Sequence, residues 1–315
     1  MVSIETSPLC GHAVQFSPFA GNRLAFAGAE NYGIAGAGAC VLFEKDATGA
    51  WHQLEKLQWQ DACYDVSWSE ASENVLLVAT GNGGVVVWDT TQPQECLLQG
   101  HTAEVSSVEW DLSRLHHHVI SSSWDHTVRL WDIPQQSCVS VLSGHSEIVY
   151  RACWSPLLPS TVASVSRDQM LCLWDLSKPA HPVSQVNVHQ SEVLTCDWSK
   201  YDQFKLCTGA VDGCIRGWDI RHINQPLFNI HAHSKAIRNI KCDPHSSNAV
   251  ASCSYDFTVR LWDMRHNNPI ENVAHHTEFT FGLDISLHEK GTMVDCSWDK
   301  TIKVYTPASL ALFPP

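Results

Sequence analysis

The 315-residue sequence lacks any stretch that approaches the roughly 20 consecutive apolar residues of a membrane-spanning helix. Its N-terminus, MVSIETSPLCGH, has neither the basic segment nor the apolar core of a signal peptide. The acceptor motif for N-glycosylation, Asn-x-Ser/Thr, is also missing. These absences argue against direct membrane insertion and favour a protein of the cytosol.

Paired cysteines are absent too. None of the 13 cysteines belongs to a Cys-x-x-Cys motif, and most stand singly inside apolar runs, as Cys153, Cys196 and Cys253 do. Isolated cysteines of this kind are typical of small buried hydrophobic residues in a reducing compartment. The cysteine pattern therefore also indicates the cytosol.

Basic residues are scarce relative to acidic ones, 20 against 33, which leaves a formal net charge of −13. A chain this acidic is a poor candidate for binding nucleic acid through its phosphates, so we expect no nucleic-acid partner. An acidic surface instead attracts and orients a basic partner.

What the sequence does contain is a repeat of Trp-Asp pairs. Successive tryptophans of these pairs are 43 or 44 residues apart, Tyr305 follows the last by 43, and Phe43 precedes the first by 45. The pairs are Trp88-Asp89, Trp131-Asp132, Trp174-Asp175, Trp218-Asp219 and Trp262-Asp263. A period of about 40–45 residues is that of a four-stranded WD-repeat blade. Seven such units predict an all-β, seven-bladed WD-repeat β-propeller that forms a single domain.

A second marker has the same period. A histidine precedes the first apolar strand of most units and lies 23 or 24 residues before an Asp, as in the hydrogen-bonded His–Ser/Thr–Asp–Trp tetrad of WD-repeat proteins. The four complete sets are His101, Ser121, Asp125 and Trp131; His145, Ser164, Asp168 and Trp174; His189, Thr208, Asp212 and Trp218; and His233, Ser252, Asp256 and Trp262. A buried Asp is tolerable only with such partners, so we expect these residues to be structural.

The outer units depart from the tetrad pattern. Unit two has Trp59, Val78, Asn82 and Trp88, unit seven has His276, Asp295, Asp299 and Tyr305, and unit one has no recognisable set. Residues 2–6 are placed to serve as the last strand of the seventh blade and so to close the ring. The predicted blades span approximately residues 10–43, 59–89, 101–132, 145–175, 189–219, 233–263 and 276–306.

Recurrent His and Asp residues could support acid–base catalysis. The structural tetrad explains the same residues, so we predict no enzymatic activity, no cofactor and no metal site. The three histidines at 116–118 are expected at a solvated hairpin tip rather than around a metal, and the glycine-rich stretch 28–39 lacks the Gly-Lys-Ser/Thr end of a phosphate loop.

Residues outside the tetrads suggest a ligand site. Loops just after each His position and just before each turn Asp lie on one rim of a propeller, the top face. After the His positions stand the acids Asp61, Glu104, Glu147, Glu192 and Glu278, and before the turn Asp stand Trp124, Tyr255 and Trp298. Aromatic residues beside acids suit an amphipathic ligand with a basic end. We therefore predict a peptide-binding site formed by these eight residues.

Two Trp-Asp-x-Arg stretches leave an alternative open. Trp218 to Arg221 and Trp262 to Arg265 resemble the box by which many WD-repeat proteins dock a cullin ubiquitin-ligase adaptor. A repeat strand that happens to precede a basic surface residue also explains them, and we predict that the two stretches are incidental. A substrate receptor of a ubiquitin ligase and a generic assembly scaffold are therefore the two alternative functions.

Segments outside the repeat consensus are more specific. They include HAVQFSPF (12–19), NYGIAGAG (31–38), TGAVDGCIRGWDIR (208–221), ASCSYDFTVRLW (251–262), HHTEFTFGLD (275–284) and DCSWDKTIKVY (295–305). Through these segments the chain resembles, over essentially its whole length, the seventh-peroxin family of WD-repeat receptors for the type-2 peroxisomal targeting signal.

The resemblance implies a function. Receptors of this family bind an N-terminal signal of cargo proteins, in which a basic and an aliphatic residue are followed by five spacers, then His or Gln and a small or aliphatic residue. A peroxin co-receptor and docking proteins then bring the complex from the cytosol to the peroxisome. The implied partners of this chain are such cargo proteins, the co-receptor and the docking proteins.

Overall fold

The fold is described from a computed structural model that covers residues 1–92, 95–112 and 117–311. In these residues, 28 strands form seven four-stranded antiparallel sheets. The innermost strands of the sheets contact one another in cyclic order, and the last contacts the first. The predicted all-β, seven-bladed propeller is therefore confirmed.

In blades one to six the four strands follow the chain from the channel outward. Blades one to three comprise β2–β13, which are Cys10–Phe16, Arg23–Ala29, Gly38–Lys45 and Trp51–Trp59, then Cys63–Trp68, Val75–Thr80, Gly84–Asp89 and Cys96–Gln99, then Val105–Trp110, His118–Ser123, Thr127–Asp132 and Ser137–Ser143. Blades four and five comprise β14–β21, which are Val149–Trp154, Thr161–Ser166, Met170–Asp175 and Ser184–Asn187, then Val193–Trp198, Lys205–Ala210, Cys214–Asp219 and Phe228–His231. Blade six comprises β22–β25, which are Ile237–Cys242, Ala249–Ser254, Val259–Asp263 and Asn268–Val273. Blade seven takes β26–β28, Thr280–Ile285, Met293–Ser297 and Thr301–Tyr305, with β1, Val2–Glu5, as its outermost strand.

Strand β1 closes the ring as predicted. It pairs with β28 in an antiparallel register that sets Ile4 opposite Ile302, and the amide of Thr6 continues the pairing by donating to the carbonyl of Lys300. After β28 a short helix α1, Ala308–Ala311, is tied to blade six through the amide of Ser309 and the carboxylate of Glu271, 3.1 Å apart. The first and last strands of the propeller thus share one blade, which leaves no gap in the ring.

Apolar packing joins each blade to its neighbour. Ile120 and Leu142 of blade three pack in one cluster with Trp154 and Trp174 of blade four, and comparable clusters lie between other neighbouring blades. Burying a Leu or Ile side chain fully is worth about 1.5–3 kcal/mol. Because each cluster needs two blades, no blade has a complete core alone.

The four complete tetrads are hydrogen-bonded networks. In each, the Trp Nε1–H donates to the Ser or Thr hydroxyl, the hydroxyl donates to His Nε2 at 2.8 Å, and His Nδ1–H donates to the Asp carboxylate. Burial lowers the pKa of His189 and of His233, against the effect of their Asp partners. These imidazoles are therefore neutral, which matches a network in which Nε2 accepts.

The hydroxyl residue of each tetrad is completely buried. Ser121, Ser164, Thr208 and Ser252 have no exposed surface, and each lies on the second strand of its blade. Ser121 and Ser164 accept from their tryptophans at 2.8 Å, and Ser252 does so at 3.2 Å. A hydroxyl so enclosed needs both a donor and an acceptor inside the protein, and the Trp and His of its own blade provide them.

Blade seven holds a variant tetrad. Asp295 stands at the position of the Ser or Thr, and His276 reaches it through Nε2 at 2.8 Å and Asp299 through Nδ1 at 2.7 Å. Tyr305 donates its phenol to Asp295 at 2.8 Å, and Nε2 of His275 lies 2.9 Å from the same carboxylate. The sequence departs from the pattern here, but the network is complete.

Blade two lacks the network. Val78 is fully buried at the hydroxyl position, and the side chain of Asn82 accepts from the hydroxyl of Thr80 and the amide of Gly84 within its own turn. Of the three histidines at 116–118, His118 begins β11, whereas His116 lies outside the described residues. Within the described ranges, no helix has the length and apolar character needed to cross a membrane.

Candidate functional site at the top of the channel

The innermost strand of every blade carries a β-bulge. In each case one residue is left without a partner on the second strand, and in blades two to seven it lies five positions after the tetrad His position. The seven bulge residues are His12, Tyr64, Ser106, Tyr150, Leu194, Arg238 and Phe281. A bulge redirects a side chain away from the regular pleat. Here it turns seven side chains toward the mouth of the central channel.

These seven residues form the floor and wall of one cavity of about 540 Å³. Residues from the surrounding loops complete it: Tyr32, Gly33, Ile34, Glu104, Trp124, Glu192, Val211, Tyr255 and Trp298. Trp124 and Val211 are about two-fifths exposed and Ile34 is 86% exposed, so apolar surface faces solvent around the opening. A concave cavity of this size, in which apolar and aromatic side chains surround convergent polar groups, is the usual form of a binding site.

One side of the cavity is an aromatic wall. Phe281 stacks on Trp298 with ring centroids 4.6 Å apart, and Trp298 also contacts Phe279 at 5.3 Å and Tyr32 at 5.0 Å. Tyr255 extends the wall on blade six, 4.7 Å from Phe279. Ring pairs at these distances are mutually stabilising. The wall therefore offers a fixed apolar surface on blades six, seven and one.

Blade one contributes to this wall through an unusual loop between β3 and β4. Asn31 and Tyr32 both have positive φ, 46° and 64°, and Gly33 follows with 78°. The phenol of Tyr64 holds the loop by donating to the carbonyl of Gly33 at 3.1 Å. The left-handed backbone, which costs non-glycine residues free energy, places Tyr32 against Trp298.

Two carboxylates lie across from the wall. Glu192 accepts from the phenol of Tyr150 at 2.8 Å and from Nε of Arg167 at 3.1 Å. Glu104 belongs to the loop before β10 and lines the cavity. Its negative charge acts on the neighbouring Tyr64, where burial and the charges of Glu104 and Asp61 raise the pKa of the phenol. The cavity thus has an acidic side on blades three to five.

The remaining charge in the cavity is basic. The guanidinium of Arg238 lies 5.0 Å from the ring centre of Phe281 and forms a cation–π contact with it. Beside this wall, burial and the charge of Arg238 lower the pKa of His12 to about 3, so this imidazole is neutral.

The structure brings together five of the eight residues predicted for the site. Glu104, Trp124, Glu192, Tyr255 and Trp298 line the cavity. Asp61, Glu147 and Glu278 do not; Glu147 and Glu278 are exposed, and the carboxylate of Asp61 accepts from the neighbouring amide of Ala62. The structure therefore brings two of the five predicted acids, Glu104 and Glu192, into the cavity, and a role of the other three in peptide binding stays a prediction.

The reason is an offset of one residue. Glu104 and Glu192 lie three residues after the tetrad His, and their carbonyls accept from the amides of Trp124 and Val211, which line the cavity. Glu147 and Glu278 lie only two residues after it, and their carbonyls accept from serine hydroxyls of the turn instead. Because the two positions differ in orientation, the acids do not form one ring.

The predicted tetrad residues are separate from this cavity. Ser121, Ser164 and Ser252, like Thr208, are 0% exposed and do not line it. Their hydroxyls are used within the blade, each between a tryptophan and a histidine. A ligand in the cavity therefore does not reach these hydroxyls, and the tetrads serve the site only by holding the turns that surround it.

The bulge residues are not among the eight residues that the sequence predicts for the site. They include the aromatic and basic side chains Tyr64, Tyr150, Arg238 and Phe281, and also His12. Their common place, five residues after each His position in blades two to seven, is visible in the sequence. Which residue in an apolar strand is the bulged one is nevertheless set by the pairing with the next strand.

Two further candidate features, the Trp-Asp-x-Arg pairs and a group of possible metal ligands, lie outside the cavity. Arg221 and Arg265 each donate to the aspartate of their own Trp-Asp pair, Asp219 and Asp263, and Arg221 also lies 4.2 Å over the ring of Phe204. Among the described residues, the one compact group of three possible metal ligands is His275, His276 and Asp295, in which both histidines already hydrogen-bond to the Asp295 carboxylate.

Comparisons with known proteins agree with this architecture. The family model described as "WD domain, G-beta repeat" matches residues 92–132, 136–175, 180–219 and 224–263. The WD40 β-propeller domain of Doa1 superposes with a TM-score of 0.80 over 97% of this chain and 95% of that one, at 18% identity, which shows the shared fold. The chain is therefore a WD-repeat β-propeller protein.

Relatives in sequence show to which family of WD-repeat proteins the chain belongs. The peroxisomal targeting signal 2 receptor of Mus musculus is 42% identical over 304 residues, which cover 96% of this chain and 95% of the relative. The receptor of the same name from Saccharomyces cerevisiae is 32% identical over 248 residues, or 69% of this chain and 66% of the relative. The chain belongs to the family of peroxisomal targeting signal 2 receptors.

Proposed function

We propose that the chain is a cytosolic import receptor that binds the type-2 peroxisomal targeting signal of cargo proteins as an amphipathic helix in the top cavity. With a peroxin co-receptor and docking proteins, it delivers this cargo to the peroxisome. Family membership supports the receptor role. The receptor binds its cargo without making or breaking a covalent bond, and it needs no cofactor.

One observation carries the assignment of the site: the cavity has an aromatic wall on blades six, seven and one, and a carboxylate side on blades three to five. In a helical signal, positions one, two, eight and nine fall on one face, so the basic first residue and the aliphatic residues point the same way. Such a face needs acid at one end and apolar surface along the rest. Glu104 and the wall around Phe281 and Trp298 meet this need.

The depth of the site also suits a helix laid across the opening. Tyr32, Val211 and Trp124 are 46%, 41% and 39% exposed, and they surround the mouth rather than fill it. A helix-in-groove complex gains most of its affinity from apolar anchors in such a surface. The carboxylates would then fix the direction of the helix, because a reversed helix would place its basic residue near the guanidinium of Arg238, which lies against the aromatic wall.

The experiment is direct binding of the full chain to a fluorescent peptide that carries the nine-residue signal, measured by anisotropy. The matched control is a peptide of the same composition in scrambled order, which keeps the charge but breaks the apolar face. We expect binding of the signal peptide only. Equal binding of both peptides would show that the acidic charge alone attracts them, and no binding of either would reject the proposal.

The ubiquitin-ligase alternative would be separated by the proteins that co-purify with the chain from cytosol. Co-purification of cargo proteins and peroxins supports the receptor function, and co-purification of a cullin adaptor supports the ubiquitin-ligase function. If neither set of proteins co-purifies, the scaffold function is favoured. The internal pairing of Arg221 and Arg265 with their own aspartates favours the receptor, because those guanidiniums are already occupied.

A further inference from the structure

The two carboxylates of the cavity differ in their availability. Both oxygens of Glu192 are engaged, Oε2 by the phenol of Tyr150 at 2.8 Å and Oε1 by Nε of Arg167 at 3.1 Å. Across the part of the chain that the structure describes, the carboxylate of Glu104 makes no hydrogen bond or ion pair. A ligand cation can therefore approach Glu104 directly, whereas at Glu192 it meets a carboxylate that already has a partner.

Arg167, the partner of Glu192, stands at a position whose side chain lines the cavity in other blades. Arg167 immediately precedes the turn residue Asp168, and the equivalent residues Trp124, Val211, Tyr255 and Trp298 line the cavity. The backbone of Arg167 is placed as theirs is, since its amide donates to the carbonyl of Ile148 just as that of Trp298 donates to Phe279. Its side chain instead crosses to Glu192 on the next blade.

The ion pair between Arg167 and Glu192 is weak enough for a ligand to displace it. The side chains of Arg167 and Glu192 are 51% and 35% exposed, and ion pairs in water are worth only about 0–1 kcal/mol. Glu192 keeps its bond to Tyr150 when Arg167 leaves, so the carboxylate stays aimed at the cavity. A guanidinium on the ligand could then take the place of the Arg167 guanidinium with the same geometry.

We propose that Arg167 competes with ligand cations for the carboxylate of Glu192 and thereby sets the charge specificity of the cavity. Glu104 accepts the first basic group of a ligand, and Arg167 restricts a second one at Glu192. This inference rests on the proposed function and specifies the class of peptide it concerns: helices with one basic residue on the binding face are favoured over helices with two.

Two fluorescent peptides test the inference. One carries the nine-residue signal with a single basic residue at position one, and the other has an additional arginine at position five, one helical turn along the same face. We expect Arg167→Ala to raise affinity for the second peptide about three- to tenfold and to leave affinity for the first within about twofold. The same gain should be absent when Arg167→Ala is combined with Glu192→Gln.

Lys178→Ala is the matched control. Lys178 is exposed on the same blade at the opposite end of β16, so this variant loses the same charge away from the cavity. If it raises affinity as much as Arg167→Ala does, the effect is one of net charge and the inference fails. Arg167→Gln, which keeps a long polar side chain without the charge, repeats the test should the alanine variant melt at a lower temperature.

The other outcomes are distinguishable. Weaker binding of both peptides by Arg167→Ala means that Arg167 contacts the ligand itself, and an unchanged affinity for both means that the pair plays no part in specificity; either result overturns the inference and leaves the receptor role standing. A parent protein that binds neither peptide overturns the receptor role and the inference together.

Discussion

Nε2 of His276 donates to the carboxylate of Asp295 at 2.8 Å, at the place where four other blades have a Ser or Thr hydroxyl. A carboxylate only accepts, so His276 must donate from both ring nitrogens, to Asp295 and to Asp299. Burial opposes the charged form, but the hydrogen bonds and charges of both aspartates outweigh it and raise the pKa of His276 to about 9. Blade seven is thus held by an imidazolium, whereas blades five and six are held by the neutral imidazoles of His189 and His233.

This charge predicts a dependence of stability on pH. Because the folded-state pKa of His276 lies above its ordinary value near 6.5, the stabilisation is fully present below pH 6.5 and is lost as the pH rises through about 9. It amounts to at most about 3 kcal/mol. Denaturant unfolding between pH 6 and about 9.5 measures it. The double variant Asp295→Ser with Tyr305→Trp, which restores a regular tetrad, should lose this part of the pH dependence; an unchanged profile would contradict the charged network.

The regular tetrads should contribute to stability as units. Asp212 accepts a hydrogen bond from Nδ1–H of His189, and Nε2 of the same ring accepts one from the hydroxyl of Thr208. Asp212→Ala leaves a buried donor without its partner and should lower the free energy of unfolding by about 1–3 kcal/mol. Chemical denaturation is the measurement, with Glu55→Ala, an exposed site on β5, as the control for loss of a negative charge. Equal stability of both variants would refute a structural role for the tetrad.

Charge reversal at the cavity should separate the two acidic positions. Glu104 lines the cavity, whereas Glu147, one blade on, is exposed outside it. We expect Glu104→Lys to weaken binding of the signal peptide by about fivefold or more at low salt, and Glu147→Lys to change it by less than about twofold. Anisotropy titrations at two salt concentrations decide this. Comparable losses in both variants would show that the long-range field of the top face, and not the cavity, determines affinity.

Trp124 tests the apolar share of binding. Its ring is 39% exposed at the mouth of the cavity, so removing it should cost little folding free energy. We expect Trp124→Ala to reduce peptide affinity by about 1–2 kcal/mol, and to do so at high salt as well as at low salt, because the contact is apolar. The same titrations measure it, with Val139→Ala on the outer strand of blade three as the control for loss of an exposed apolar group. A loss that disappears in high salt would contradict the prediction.

The Trp-Asp-x-Arg pairs should be dispensable for peptide binding. Arg221 and Arg265 are held by Asp219 and Asp263 at the ends of their strands, opposite the turns that line the cavity. Replacing both arginines by alanine should leave affinity for the signal peptide unchanged. If the double variant instead loses a co-purifying ligase adaptor while its cargo accumulates, the ubiquitin-ligase function is to be preferred.

The sequence by itself determined the number of blades, the four regular tetrads and the closing strand. These are properties of spacing: the 43- or 44-residue interval between Trp131, Trp174, Trp218 and Trp262 repeats because each blade must bury the same two faces. Ring closure followed from counting strands, since residues 2–6 are the segment that remains for blade seven.

Only the tertiary structure decided which side chains meet at the site. Whether Glu104 or Glu147 faces the cavity depends on a one-residue difference in place, and a loop has no regular period from which to read orientation. Tyr150 and Arg238 reach the channel because strand pairing leaves them bulged, a property of two strands rather than of one. The partner of Glu192 lies 25 residues away on another blade, and the charge of His276 depends on a carboxylate 19 residues along the chain. Such contacts arise from the closed ring, which brings neighbouring blades together at fixed distances that no local pattern records.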